Sequence, residues 1–152
     1  MFIKAALASA EETEVAPGGN YDLNIINIEE VPVKKTPGAS QLRATLGFTD
    51  HPNYQPFNVY VGLVGSADDE VATTRKLRNL RRFCSTFDIA WEAAGFDTDD
   101  AVGATAKEVQ VTQRPRLDAE GHETEEQQNS CFFKRFDTEE GPAKKSARKR
   151  RA

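Results

Sequence analysis

Few residues in this chain suit catalysis. Among 152 residues there are two histidines, His51 and His122, and two cysteines, Cys84 and Cys131. Neither pair has the spacing of a zinc, redox or nucleophile motif. His122 sits in Asp118-Ala119-Glu120-Gly121-His122-Glu123-Thr124-Glu125-Glu126, an acidic setting that raises the question of a metal. No known ligand spacing accompanies it, so it reads as a solvated loop histidine. Asp68-Asp69-Glu70 could gather a cation for phosphoryl chemistry. Placed just before a helical pattern, the same acids suit an N-cap and the positive end of the helix dipole. There is no phosphate-binding glycine loop and no nucleophile elbow. The expectation is a protein without catalysis, metal or cofactor, whose cysteines are buried thiols of a reducing compartment.

What the chain does carry is cations and flat rings, the groups that track phosphates and stack on bases. Lys144, Lys145, Arg148, Lys149, Arg150 and Arg151 put six positive charges and no acid into the last nine residues. The formal net charge is −4; without that tail, residues 1–143 hold 14 Lys and Arg against 24 Asp and Glu, a net −10. An acidic body and a cationic tail are two electrostatic objects. The tail could neutralise several phosphates in a salt-dependent way, or engage an acidic neighbour, or act as a localisation signal. A second basic run, Arg75, Lys76, Arg78, Arg81 and Arg82, falls inside the helical pattern. A solvated helix face is its default reading, with a phosphate role as the alternative.

The elements that must position these groups follow from periodicity. Residues 1–16 form an Ala- and Glu-rich N-terminal segment ending at Pro17-Gly18-Gly19, a turn signal. Tyr21, Leu23 and Ile25 then alternate with polar residues, and Ile26 and Ile28 take the opposite parity. That switch predicts a bulge near Ile25-Ile26 in a first strand reaching toward Val33, with Pro32 weakening its ladder. Leu42, Ala44, Leu46 and Phe48 mark a second strand. Phe57, Val59, Val61 and Leu63 mark a third. Leu77, Leu80, Cys84 and Phe87 share one face of a helix over 68–87. Asp97 to Gly103 reads as one capped turn stopped by glycine. A fourth strand covers 104–113, residues 118–126 form an exposed loop, and a fifth strand covers 130–136. Residues 138–152 are a disordered tail. No apolar run approaches the roughly 20 residues of a membrane helix, and the opening Met-Phe-Ile-Lys-Ala-Ala-Leu-Ala lacks the features of a signal peptide.

Three strands, a helix and two strands is the OB-fold order: an all-β, five-stranded barrel over residues 17–137, with one helix inserted between strands three and four. Strands two and three form its usual binding face. With the apolar parity inward, Arg43 and Thr45 face out beside Asn58 and Tyr60. Arg43 and Tyr60 should therefore lie side by side, as a cation and a stacking ring. Tyr54, in the loop between these strands, is a candidate second ring.

Three stretches resemble a family of phage-encoded single-stranded DNA-binding-like proteins. Pro17-Gly18-Gly19-Asn20-Tyr21-Asp22-Leu23 resembles the family's Pro-x-Gly-x-Tyr approach to strand one. The segment from Ala72 to Cys84 is similar to its basic central helix. The Asp-rich turn and Val102-Gly103 are similar to its lead into strand four. Together they span 17–136. The resemblance implies an OB-fold that binds single-stranded DNA in phage replication or recombination, in the host cytoplasm, with Arg43, Tyr60, Tyr54, Arg75, Arg78, Arg82 and the tail cations as candidate contacts. It leaves open a homo-oligomer and partners among phage replication or recombination proteins. Bacterial-type relatives end in an acidic, partner-recruiting tail, and this chain ends in a basic one. The other reading is an assembly module whose acidic barrel docks a protein and binds no nucleic acid.

Overall fold

A computed structural model describes residues 1–136. The tail cations from Lys144 to Arg151, and the expectation of disorder there, lie outside the described residues. Five strands and one long helix make up the fold: β1 Gly19–Pro32, β2 Ser40–Phe48, β3 Phe57–Gly62, α1 Glu70–Thr86, a short α2 Thr98–Ala101, β4 Thr105–Leu117 and β5 Glu123–Cys131. The strands form one antiparallel sheet in the order β3-β2-β1-β4-β5. Its outer strands, β3 and β5, approach each other without a hydrogen-bonded ladder. The architecture is therefore barrel-like, but the sheet is not closed. No helix among the described residues is long and apolar enough to cross a membrane.

Period-two alternation buries one face of β2 and β3. Leu42, Ala44, Leu46, Phe48, Phe57, Val59 and Val61 all enter the core, with Leu63 half-buried. The expected bulge is present: the β1–β2 register shifts between Ile25 and Asn27. Leu23, Ile25 and Ile28 can then all be buried. Ile26 is left on the outer face over Gly47, where a Cβ would come within 2.8 Å of its Cδ1. A second shift, between Tyr21 and Leu23, accompanies a left-handed Glu108 at φ 52°. The Asp22 carboxylate accepts that residue's N–H at 3.0 Å.

Asp69 caps α1, accepting the Ala72 N–H at 2.7 Å. Asp68 does a separate job: it accepts the Gly65 N–H and pairs with Lys76, each at 2.8 Å. The helix enters the core by its second half, through Phe83, Cys84 and then Phe87. Leu77 corrects the expected helix face. It stands 53% exposed, whereas Ala72, Thr73 and Lys76 of the same half of α1 are half-buried. On that first half the stem of Lys76 covers Gly62 instead.

The end of the chain needs the larger correction. Residues 123–126, expected as loop, are strand: β5 pairs with β4 from Leu117↔Glu123 to Val111↔Cys131. Most of these residues are exposed, so no alternation marks the strand; backbone pairing holds it, helped by the Thr124 hydroxyl donating to the Arg116 carbonyl at 2.6 Å. Only the turn from Asp118 to His122 remains of the expected loop; it is closed by the Asp118 carboxylate, which accepts the Glu120 and His122 N–H groups. Beyond Cys131 the chain leaves the sheet and lies along α1. The Lys134 N–H donates to Thr86 Oγ1 at 2.8 Å, and the Phe133 ring meets Phe83 edge-on at 5.4 Å.

Candidate nucleic-acid interface

The outer face of β1–β2–β3 is a set of cross-strand rows. One row is Glu29, Arg43 and Tyr60, each opposite the next. The row beside it is Asn27, Thr45 and Asn58, in which Thr45 Oγ1 donates to Asn58 at 2.8 Å. Arg43 and Tyr60 are thus brought together, and the Tyr60 ring is 53% exposed. Arg43 also has a partner that strand alternation did not reveal. Its guanidinium forms an ion pair with Glu29, with Nε donating to Oε1 at 3.1 Å. That bond, with the charge behind it, holds the Arg43 pKa above its already high value. The bulge after Ile25 is what sets Glu29 opposite Arg43.

Tyr54 is not brought to this face. It lies half-buried in an aromatic cluster, stacked on His51 at 4.8 Å and edge-on to Phe48 and Tyr21 at 5.4 and 5.7 Å. Burial, together with Tyr54, raises the Tyr21 pKa. The cluster anchors the N-terminal segment, since Glu14 bridges to Tyr54 in parallel.

Between β3 and β5 the open edge forms a cleft of about 550 Å³. Phe57, Val59, Cys131 and Phe133 give it apolar lining; Asn58 and Tyr60 from β3 face Gln127 and Gln128 from β5. Arg114 and Arg116 of β4 also line it. Sequence reading missed both arginines, because they lie in the unpatterned half of β4 past its last core residue. Arg116 has one exposed carboxylate neighbour, Glu126, at 3.7 Å. Arg114 lies 5.9 Å from the ring centre of Phe132, itself exposed. The cleft is therefore lined by apolar and amide side chains, an exposed tyrosine and two arginines. It has the groups to take a flat ring and hold the phosphates beside it.

The helix cations divide into two sets. Arg75 and Arg78 are exposed and Arg82 half-buried, whereas Lys76 pairs with Asp68 and Arg81 lies over Trp91 and Phe136. Asp118, Glu120 and His122 place ligand atoms within 4.8 Å of one another, all exposed; this arrangement belongs to the β4–β5 turn. Cys84 and Cys131 are free thiols, and burial pushes the pKa of each up to about 12. No family model matches the chain, and comparison with curated proteins finds no match.

Proposed function

We propose that this chain is a non-catalytic, single-stranded DNA-binding protein of the OB-fold type, acting in phage replication or recombination in the host cytoplasm. Strand order supports the OB reading: joining β3 to β5 across the cleft would complete a five-stranded barrel with α1 between β3 and β4, and such barrels are often partly open. The phage setting rests on the sequence resemblance alone. The observation that carries the binding reading is Tyr60. Its exposed ring stands in register with Arg43 and also lines the cleft that Arg114 and Arg116 line. Stacking on a ring of this kind contributes about 1–3 kcal/mol per base.

The test is a fluorescence titration of the full-length protein with single-stranded DNA, single-stranded RNA and duplex DNA at two salt concentrations. Preference for single strands, weakened at least tenfold in Tyr60→Ala and again in Arg114→Gln/Arg116→Gln, is the expected result. Equal or absent binding to all three nucleic acids at low salt overturns it. One observation favours the second reading, a protein-docking module: Glu29 already neutralises Arg43 on the outer face. Under that reading the Tyr60 and Arg114/Arg116 variants leave nucleic-acid binding unchanged.

A further inference from the structure

We propose that the arm formed by residues 1–13 docks in the β3–β5 cleft of a second copy of this chain.

Residues 1–14 are exposed throughout, although Lys4 is the only charged side chain among residues 1–10. Met1, Phe2, Ile3 and Leu7 stand in water, Phe2 at 93% and Leu7 at 78% exposure. The short 3-10 turn Leu7–Ser9 buries nothing. Its hydrogen bonds stay within the arm, from the Ser9 N–H to the Ala6 carbonyl and from the Ala10 N–H to the Leu7 carbonyl. Apolar side chains grouped in water mark a surface that another protein covers.

The arm sets out away from its own cleft. Glu14 pairs in parallel with Tyr54, so the chain from 14 to 16 runs with 54–56 toward β3, and Val15 reaches the cleft. Followed the other way, residues 13 to 1 leave β3 behind. The strap is held at Glu14 and at Ala16, so the arm would have to double back to enter the cleft of its own chain. Thirteen residues extend up to about 45 Å, enough to reach a neighbour.

Cleft and arm match in kind. Phe57, Val59, Cys131 and Phe133 line part of the cleft and suit Phe2, Ile3 and Leu7. Arg114 and Arg116 line it too. Glu11 and Glu12 lie between the apolar stretch and the strap, exposed and in no ion pair among the described residues. Burial of the apolar side chains supplies the attraction, and the opposed charges select the face. Exchange of arms in both directions closes a two-fold dimer. The cleft is the one proposed above for single strands, so an arm and a strand exclude each other there.

The experiment is sedimentation equilibrium of the full-length protein without nucleic acid, which should show a concentration-dependent dimer. Phe2→Ser/Ile3→Ser/Leu7→Ser, all at exposed positions, should leave urea unfolding of the monomer unchanged and weaken the dimer by roughly a hundredfold or more. Glu11→Arg/Glu12→Arg should weaken it as well, and adding Arg114→Glu/Arg116→Glu should restore it. Ile3→Cys/Gln128→Cys, oxidised at pH 8 where burial keeps Cys84 and Cys131 protonated, should form a disulfide between residue 3 of one chain and residue 128 of another, identified by peptide mapping. A monomer at every concentration, or a dimer that the arm substitutions leave intact, overturns the proposal. So does a 3–128 disulfide formed only within one chain, which puts the arm in its own cleft. None of these readouts involves nucleic acid, so their failure leaves the single-strand reading standing, and failure of the single-strand titration leaves the arm contact standing.

Discussion

Asn129 holds Ala16 by both of its backbone groups: the Ala16 N–H donates to Asn129 Oδ1 at 3.0 Å, and Asn129 Nδ2 donates to the Ala16 carbonyl at 2.8 Å. A side-chain amide here does the work of a neighbouring strand. Glu14, two residues earlier, exchanges backbone hydrogen bonds with Asn53 and Gln55 beside the start of β3. Residues 14–16 therefore span the gap between β3 and β5 at one end of the cleft, and Val15 lines it. Asn129 and Ala16 are both buried, so the Asn129→Ala variant leaves the Ala16 N–H without its partner, while the Ala16 carbonyl keeps the Gln113 Nε2 donor at 2.9 Å. The expected cost is about 1–3 kcal/mol in urea unfolding, with faster proteolysis ahead of Pro17. A loss under about 0.5 kcal/mol would show that the strap is held mainly by the Glu14 contacts.

The two aspartates ahead of α1 should separate by pH. Asp69→Ala removes the cap and should cost about 1 kcal/mol at neutral pH. Asp68 behaves differently. The Gly65 N–H, and after it Lys76, hold its pKa below 3.8. A carboxyl depressed in the folded state stabilises the protein above its unfolded pKa, and that stability is lost as pH falls through the lower folded value. Asp68→Asn should therefore be less stable than the parent at pH 7, with the difference closing below pH 4. A difference that persists unchanged at pH 2 would assign the effect to geometry rather than charge.

The cysteines set the alkaline limit. Both thiols titrate near 12 in the fold against 9.0 for the unperturbed group. A group whose pKa is raised by folding holds its proton longer in the native state. Its stabilising effect is complete below pH 9 and is lost as pH rises toward 12. Cys84→Ala/Cys131→Ala should flatten the fall in stability between pH 9 and 11 while lowering stability at pH 7 through the lost packing. Thiol-reactive probes should label Cys84, in a Cys131→Ala background, at pH 8 at the rate of the protein's opening rather than at that of a free thiol. Labelling as fast as a free thiol contradicts the burial.

Legibility in the sequence followed burial. β2 and β3 have one buried face, so alternation located them, and the parity switch at Ile25-Ile26 revealed the bulge. Most of β5 has no buried face, and Glu123 to Glu126 read as loop for that reason. Leu77 misled because apolar spacing pointed to it, whereas the stem of a lysine, Lys76, covers Gly62 on that half of the helix. At the site, Arg43 opposite Tyr60 followed from parity alone. Glu29 did not, because its register depends on how many residues the bulge consumes. Arg114 and Arg116 went unnoticed because a cleft between two sheet edges is set by long-range closure, which no local pattern encodes.

The Glu29–Arg43 pair supplies the sharpest test of the outer face. Arg43 is the only cation in its row, and Glu29 neutralises it. Glu29→Gln keeps the shape and removes the charge. Glu29 and Arg43 are both substantially exposed, and a pair of that kind stabilises a fold by at most about 1 kcal/mol, so unfolding should change little. If the face binds single-stranded DNA, releasing the guanidinium should tighten binding severalfold at low salt and steepen the salt slope by about 0.7. Arg43→Ala should do the reverse, by more than the loss of one cation, since it leaves Glu29 uncompensated against the strand. If Glu29→Gln and Arg43→Ala both leave affinity unchanged, the row takes no part in binding, and the cleft lined by Arg114 and Arg116 must act alone.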